Sequence, residues 1–503
     1  MDMKKINNIV WLFFISLFFV ACFEDDNKYD YAELDGVTIE GIAEKYTKVS
    51  RQDVLSITPT VTSKADLEYV WELWTSARQD GIIYHPDTIG YAKDLNYEIC
   101  EEPGSYYLVL NVKNKETGVT TIFRSTLNVV TINSTGWYLL KDEGSTEKYT
   151  DYDFIYDGGR IDNWIAFYND GKKLKGEAVK SIFTSKYSDV ASGGGYNYAS
   201  VLLPLAKEEI VVLDLSSGNI RKPFESLFFE SLDVKNFQDI SVQNDGVSMN
   251  LVNNNSVYSM SATNATSFFA LYGQYSFSKS LNGLQGPNYF DNLSKSFVYV
   301  AYQRINRYVD ASTAPISCND MEADMLWESA INFQAQSRGW ISYALMKKHS
   351  TSDYMLVKLN LSTGWGNSNP IVKVDIIPST LNFVTAEKRA VNADYGIIYF
   401  VKDHKLYKYL IDNQHEEAIL DLPAGEEVTC MQHIAYPNQM SSDVYGAQVN
   451  CFAIATYADG KYKVWLHEFD AGNLKPLTKP TFEGNGRVAC INYVENNTSN
   501  FLY

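Results

Sequence analysis

Tyr354-Met355-Leu356-Val357-Lys358-Leu359-Asn360-Leu361-Ser362-Thr363-Gly364 runs as an alternating apolar strand and stops at a small polar turn. Three further stretches share this design: Ile210-Val211-Val212-Leu213-Asp214-Leu215-Ser216-Ser217-Gly218, Leu406-Tyr407-Lys408-Tyr409-Leu410-Ile411-Asp412-Asn413 and Val464-Trp465-Leu466-His467-Glu468-Phe469-Asp470-Ala471-Gly472. Their turn positions, Ser216, Ser362, Asp412 and Asp470, lie 146, 50 and 58 residues apart. The long gap is about three repeats, and fainter turns near Ser261 and Asp310 fall inside it. A seventh candidate lies near Asn169, in Phe167-Tyr168-Asn169-Asp170-Gly171.

A period of about 50 residues, holding three or four strands, suits the blade of a β-propeller. A blade buries its faces only against its neighbours, and closing the ring removes exposed sheet edges. Residues 134–503 are long enough for about seven such blades, with six and eight left open because two turns are faint. Closure is expected to pair a strand near Gly136-Trp137-Tyr138-Leu139-Leu140 with the last blade near Val488–Tyr493. Two unrelated β-sandwiches are the competing architecture.

Upstream, residues 46–133 read as shorter strands, among them Val54–Val61 and Leu67–Leu73 with Trp71 at its centre. In Gly104-Ser105-Tyr106-Tyr107-Leu108-Val109-Leu110-Asn111-Val112, side chains alternate so that Tyr106, Leu108, Leu110 and Val112 share a face. A central Trp and a Gly-x-Tyr strand in so short a segment indicate a small β-sandwich. The segment resembles the PKD-like, immunoglobulin-type modules of surface lipoproteins. With 36 Tyr and 25 Phe and few long helical patterns, the whole chain is expected to be all-β.

The N-terminus reads as an address. Lys4 and Lys5 precede an apolar run from Ile9 to Ala21, too short for a bilayer span of roughly 20 residues, so residues 1–21 are expected to be a signal peptide. The run ends in Phe19-Val20-Ala21-Cys22, which resembles a bacterial lipobox and makes the Cys22 thiol the expected lipid acceptor. Residues 22–45 read as a lipid anchor and acidic tether. Within it, Glu24, Asp25 and Asp26 resemble the export signal of Bacteroidota surface lipoproteins. These features imply a location on the outer membrane, exposed at the cell surface.

A net charge of -18 argues against nucleic acid, which demands a basic face, and makes a covalent membrane anchor the expected attachment. Besides Cys22, five cysteines remain, none in CxxC pairs. Cys430, Cys451 and Cys490 sit in apolar runs as small core residues, with a disulfide as the alternative.

The search for catalytic chemistry is mostly negative. His85, His349, His404, His415, His433 and His467 show no ligand spacing, and there is no GxSxG elbow. Ser192-Gly193-Gly194-Gly195-Tyr196 lacks the Gly-Lys-Ser/Thr that grips phosphate. Asp151-Tyr152-Asp153-Phe154-Ile155-Tyr156-Asp157-Gly158-Gly159 resembles a calcium loop, but Ile155 and Asp162 occupy its fifth and twelfth positions. It reads as a strand with a polar turn. No metal, cofactor or catalytic residue is expected, and no ligand-binding residue stands out. Tyr196-Asn197-Tyr198 and Trp365-Gly366-Asn367 are aromatic clusters that can stack on sugars or pack between blades.

Lipobox, acidic signal, PKD-like module and propeller together resemble accessory lipoproteins of SusC/SusD-type nutrient importers. The resemblance implies a SusC-like TonB-dependent barrel and a SusD-like lipoprotein as partners, with captured oligosaccharide or oligopeptide. The alternative is a surface glycoside hydrolase or peptidase with an acid pair in the propeller funnel.

Overall fold

The computed structural model describes residues 36–75, 85–130, 135–157, 159–190, 196–243, 246–261, 265–283, 286–301, 303–329, 340–361, 368–392, 396–436, 449–470 and 473–495. The chain divides into two compact units at Val130/Thr131. Cys22, Glu24, Asp25 and Asp26 lie outside the described residues, as do Ser192–Gly195 and Trp365–Asn367.

The first unit is a β-sandwich. Its main sheet runs Lys45–Val49, Thr120–Val130, Gly104–Asn114, Leu67–Thr75, Asp87–Gly90 in spatial order, with only the first pair parallel. Two short pairs complete it, Val54–Ile57 with Leu95–Glu98 and Thr38–Glu40 with Thr60–Thr62. The last pair corrects the tether boundary: Thr38–Glu40 already belongs to the sandwich, although residues 22–45 read as tether. The strand is only three residues long, too short for alternation to reveal it. As the alternation requires, Leu108, Leu110 and Val112 are buried with Trp71, Leu73, Leu55 and Leu127, and Tyr106 packs against them. Trp71 stays buried because Nε1 donates to the Ala92 carbonyl at 3.0 Å.

In the second unit, seven antiparallel sheets occur among the described residues. Blade I takes its inner strand, Arg487–Val494, from the far end of the chain, followed outward by Gly136–Glu143, Tyr149–Tyr156 and Gly159–Ile161. Blades II to VII start from the inner strands Ala178–Val190, Phe237–Val242, Leu281–Gly283, Ala323–Glu328, Lys388–Asn392 and Glu427–Tyr436, each meandering outward. The seam has the expected partners: Trp137 faces Tyr493, Leu139 faces Ile491 and Leu140 faces Cys490.

The second strand of each blade explains why the sheets form a ring. Ile397-Ile398-Tyr399-Phe400-Val401 is apolar throughout because both its faces are covered. Ile398 and Phe400 pack with Tyr343, Leu345 and Leu356 of blade V. Ile397, Tyr399 and Val401 pack with Phe452 and Ile454 of blade VII. Successive residues thus serve opposite neighbours, the period-2 rule of a strand. The same device joins II to III through Val201, Leu203, Ile240 and Leu251, III to IV through Val252, Phe277 and Tyr289, and IV to V through Phe290, Phe297, Ala344 and Met346. One cluster binds blade I to both neighbours, with Tyr138, Tyr152 and Trp164 against Phe183 and Leu202 on one side and Ala453 and Tyr462 on the other. With that cluster the ring closes.

The repeated segments are the third strands of blades II, V, VI and VII, at Val212–Asp214, Tyr354–Asn360, Lys405–Leu410 and Lys461–Asp470. Ser261 also ends a third strand. The other two faint turns do not. Asp310 follows the fourth strand Arg304–Arg307, and Asn169 ends the short helix Trp164–Tyr168. Short polar runs mark a chain reversal without saying which strand it follows.

Candidate functional site: the central channel

The inner strands line a cavity of about 480 Å³, within the range of small-molecule sites, roughly 300–1,000 Å³. All seven blades, or the residue just before the inner strand, contribute to its wall. Five inner strands carry one extra residue against their neighbours: Val179, Gln238, Leu326, Thr429 and Ala489. A bulge bends a strand and re-aims its side chains. The wall accordingly includes consecutive residues such as Trp327-Glu328-Ser329 and Thr429-Cys430-Met431, where a regular strand would show alternate ones.

Polar bonds tie the wall together. Asp239 of blade III receives the Lys180 ammonium of blade II at 2.7 Å. Its other oxygen accepts from the Ser280 amide at 2.7 Å and hydroxyl at 2.5 Å, at the start of blade IV. At the seam, the Gln432 side chain imitates a backbone ladder: Oε1 accepts from the Ile491 amide at 2.9 Å and Nε2 donates to the Ile491 carbonyl at 3.2 Å. Arg487 pairs with Glu427 at 2.7 Å and reaches Asp142 at 3.9 Å. Arg389 donates to the Phe383 and Val384 carbonyls at 2.7 and 2.9 Å, and burial pushes its pKa down to about 10.

Three groups remain uncommitted. Lys279 and Lys388 form no hydrogen bond or ion pair among the described residues. Burial lowers the Lys388 pKa, the like charges of Arg487 and Lys279 add to the effect, and Cys430 and Glu427 oppose it. Glu328 is half-buried, and its Oε2 is shielded from solvent without a hydrogen-bond partner among the described residues. Burial, reinforced by Asp239 and opposed by Lys279 and Lys180, pushes its pKa up to about 8. The Cys430 and Cys490 thiols also line the channel, and burial raises both pKa values, away from reactive thiolate.

Elsewhere, the site-like segments are structural. Asp151 and Asp153 lie inside the strand Tyr149–Tyr156, in keeping with the strand reading. Asp151 accepts from the Ile165 amide at 2.7 Å and the Ala166 amide at 3.2 Å, capping the short helix; burial lifts its pKa to about 6. Asp153 pairs with Lys141 at 2.9 Å and Arg160 at 2.6 Å. Cys318, Cys430, Cys451 and Cys490 are buried free thiols, and Cys100 is exposed. His433 faces Asn450 at 2.8 Å, and His467 meets the Lys475 carbonyl at 2.9 Å. The channel residues carry no motif in sequence; their signal is a polar or charged residue just ahead of an apolar second strand.

A PKD-like family profile matches residues 22–178. No curated protein matches the chain. A quinoprotein alcohol dehydrogenase-like protein from Bacteroides thetaiotaomicron is 11% identical, with 85% of this chain and 92% of that one covered at a TM-score of 0.44. PorZ, a surface component of the type-IX secretion system of Porphyromonas gingivalis, is 12% identical over 73% of this chain and 44% of its own, at a TM-score of 0.30. YCF48 from Cyanidioschyzon merolae is 9% identical over 59% and 93%, at 0.34. The chain is thus similar to the PKD-like family across its sandwich and the first strands of its ring.

Proposed function

We propose that this chain is a surface-exposed outer-membrane lipoprotein and a non-enzymatic accessory subunit of a SusC/SusD-like TonB-dependent importer. In this role it captures or presents oligosaccharide or oligopeptide. The observation that carries the binding role is the central channel, whose size suits a small ligand and whose wall leaves two ammonium groups and one carboxyl uncommitted. Cys22 and the acids Glu24, Asp25 and Asp26 support the membrane address, and the PKD-like match supports the surface setting.

A glycoside hydrolase is the second reading, because Asp239 and Glu328 both line the channel and Glu328 has the raised pKa of a general acid. Against it, both Asp239 oxygens are occupied by Lys180 and Ser280, which leaves no free base or nucleophile there. Purification of the importer from native membranes in mild detergent tests the role. The chain is expected to co-purify, with an acyl group on Cys22 by mass spectrometry; its absence from the complex overturns the proposal. Turnover of a glycan panel that disappears in Glu328→Gln would establish the hydrolase instead.

A further inference from the structure

We infer that the central channel binds an acidic sugar, one whose rings carry carboxylate or sulfate groups. The inference deepens the capture role proposed above and rests on it. The chain is strongly acidic, with 61 Asp and Glu against 43 Lys and Arg. The channel wall reverses that balance, holding Lys180, Lys279, Lys388, Arg389 and Arg487 against Asp239 and Glu328. A cleft of one sign focuses its field, so this channel draws anions out of a repelling surface.

The cations are not equivalent. Lys180, Arg389 and Arg487 are held by Asp239, by backbone carbonyls and by Glu427. Lys279 and Lys388 form no ion pair among the described residues; Glu427, already bonded to Arg487, attracts Lys388 only at longer range, and Lys279 adds like charge to it. Lys388 is partly desolvated beside the exposed Lys279 and the bonded Arg487, and that gathering of like charge is a cost that an incoming anion relieves. Glu328 does not supply that anion. It keeps its proton at neutral pH, so it presents a donor in place of a repelling charge. Trp327 adds an aromatic surface on which a sugar ring can stack. A peptide adding as a strand needs a regular edge, and the five bulges interrupt that edge.

Calorimetry on the full-length protein in detergent tests this with four probes: trigalacturonate, a sulfated chondroitin disaccharide, neutral galactotriose and triglutamate. At least one acidic sugar is expected to bind, more weakly as salt is added, and galactotriose is not. Lys279→Gln and Lys388→Gln should each weaken binding about tenfold, whereas Lys388→Arg should retain it and Lys115→Gln should change nothing. Equal binding of acidic and neutral sugars, or unaltered affinity in both glutamine variants, overturns the inference. Triglutamate binding without acidic-sugar binding overturns the sugar assignment. Importer co-purification of Lys388→Gln reports the accessory role separately, so the two readings can fail independently.

Discussion

Asp153 is fully buried between two cations and a phenol: Lys141 at 2.9 Å, Arg160 at 2.6 Å and the Tyr462 hydroxyl at 2.7 Å. Tyr462 belongs to blade VII and the others to blade I, so the cluster seals the seam. Removing one member of a buried pair strands the other charge. Asp153→Asn is expected to cost about 3 kcal/mol in denaturant unfolding, while Lys115→Ala, at the exposed pair with Asp66, leaves the midpoint unchanged. Glu328 gives a pH signature of opposite sense to ordinary acid unfolding. Its folded pKa, about 8, is above the unfolded value of 4.5, so the folded state holds the extra proton and stability falls as pH rises between the two. Glu328→Gln should therefore raise the melting temperature near about pH 9 and leave it unchanged near about pH 4. Equal shifts at both ends would refute the assignment.

At the scale of elements, the inner strands of blades VII and I belong to separate sheets, and the Gln432 side chain supplies a ladder-like rung between them at Ile491. Gln432→Leu leaves that amide and carbonyl unpaired, at a cost of about 1–3 kcal/mol. Faster hydrogen exchange at the Ile491 amide is the local readout. The elements differ in how plainly the sequence announced them. The third strand of blade II was legible because it ends in a polar reversal, where Asp214 Oδ1 accepts the Ser216 and Ser217 amides, both at 3.0 Å. Thr38–Glu40 was not, since three residues are too few to establish a period. The channel was hidden for a different reason. Lys180, Glu328 and Lys388 come from separate blades, and beside Lys180 and Glu328 a bulge displaces the alternation that would show where the side chains point. Only closure of the ring brings them together.

For the whole molecule, every sheet-to-sheet interface of the ring holds an apolar cluster, and the far strand Arg487–Val494 completes it. A chain ending before Arg487 would lack that strand, leaving Gly136–Glu143 as an open edge and blade VII without its neighbour. Such a truncation is expected to self-associate in size-exclusion chromatography and to be cut rapidly by protease. A monodisperse, resistant product would show that the seam is dispensable.

The seam also imposes an order on biogenesis. Because blade I borrows its innermost strand from residues 487–494, no circle exists until the chain has been synthesised through Val494. Through that interval the nascent protein carries an unpaired rim at Gly136–Glu143 that any other strand could join. The fold therefore calls for a chaperone, or for fast completion of synthesis, at the moment when its earliest and latest strands are still apart.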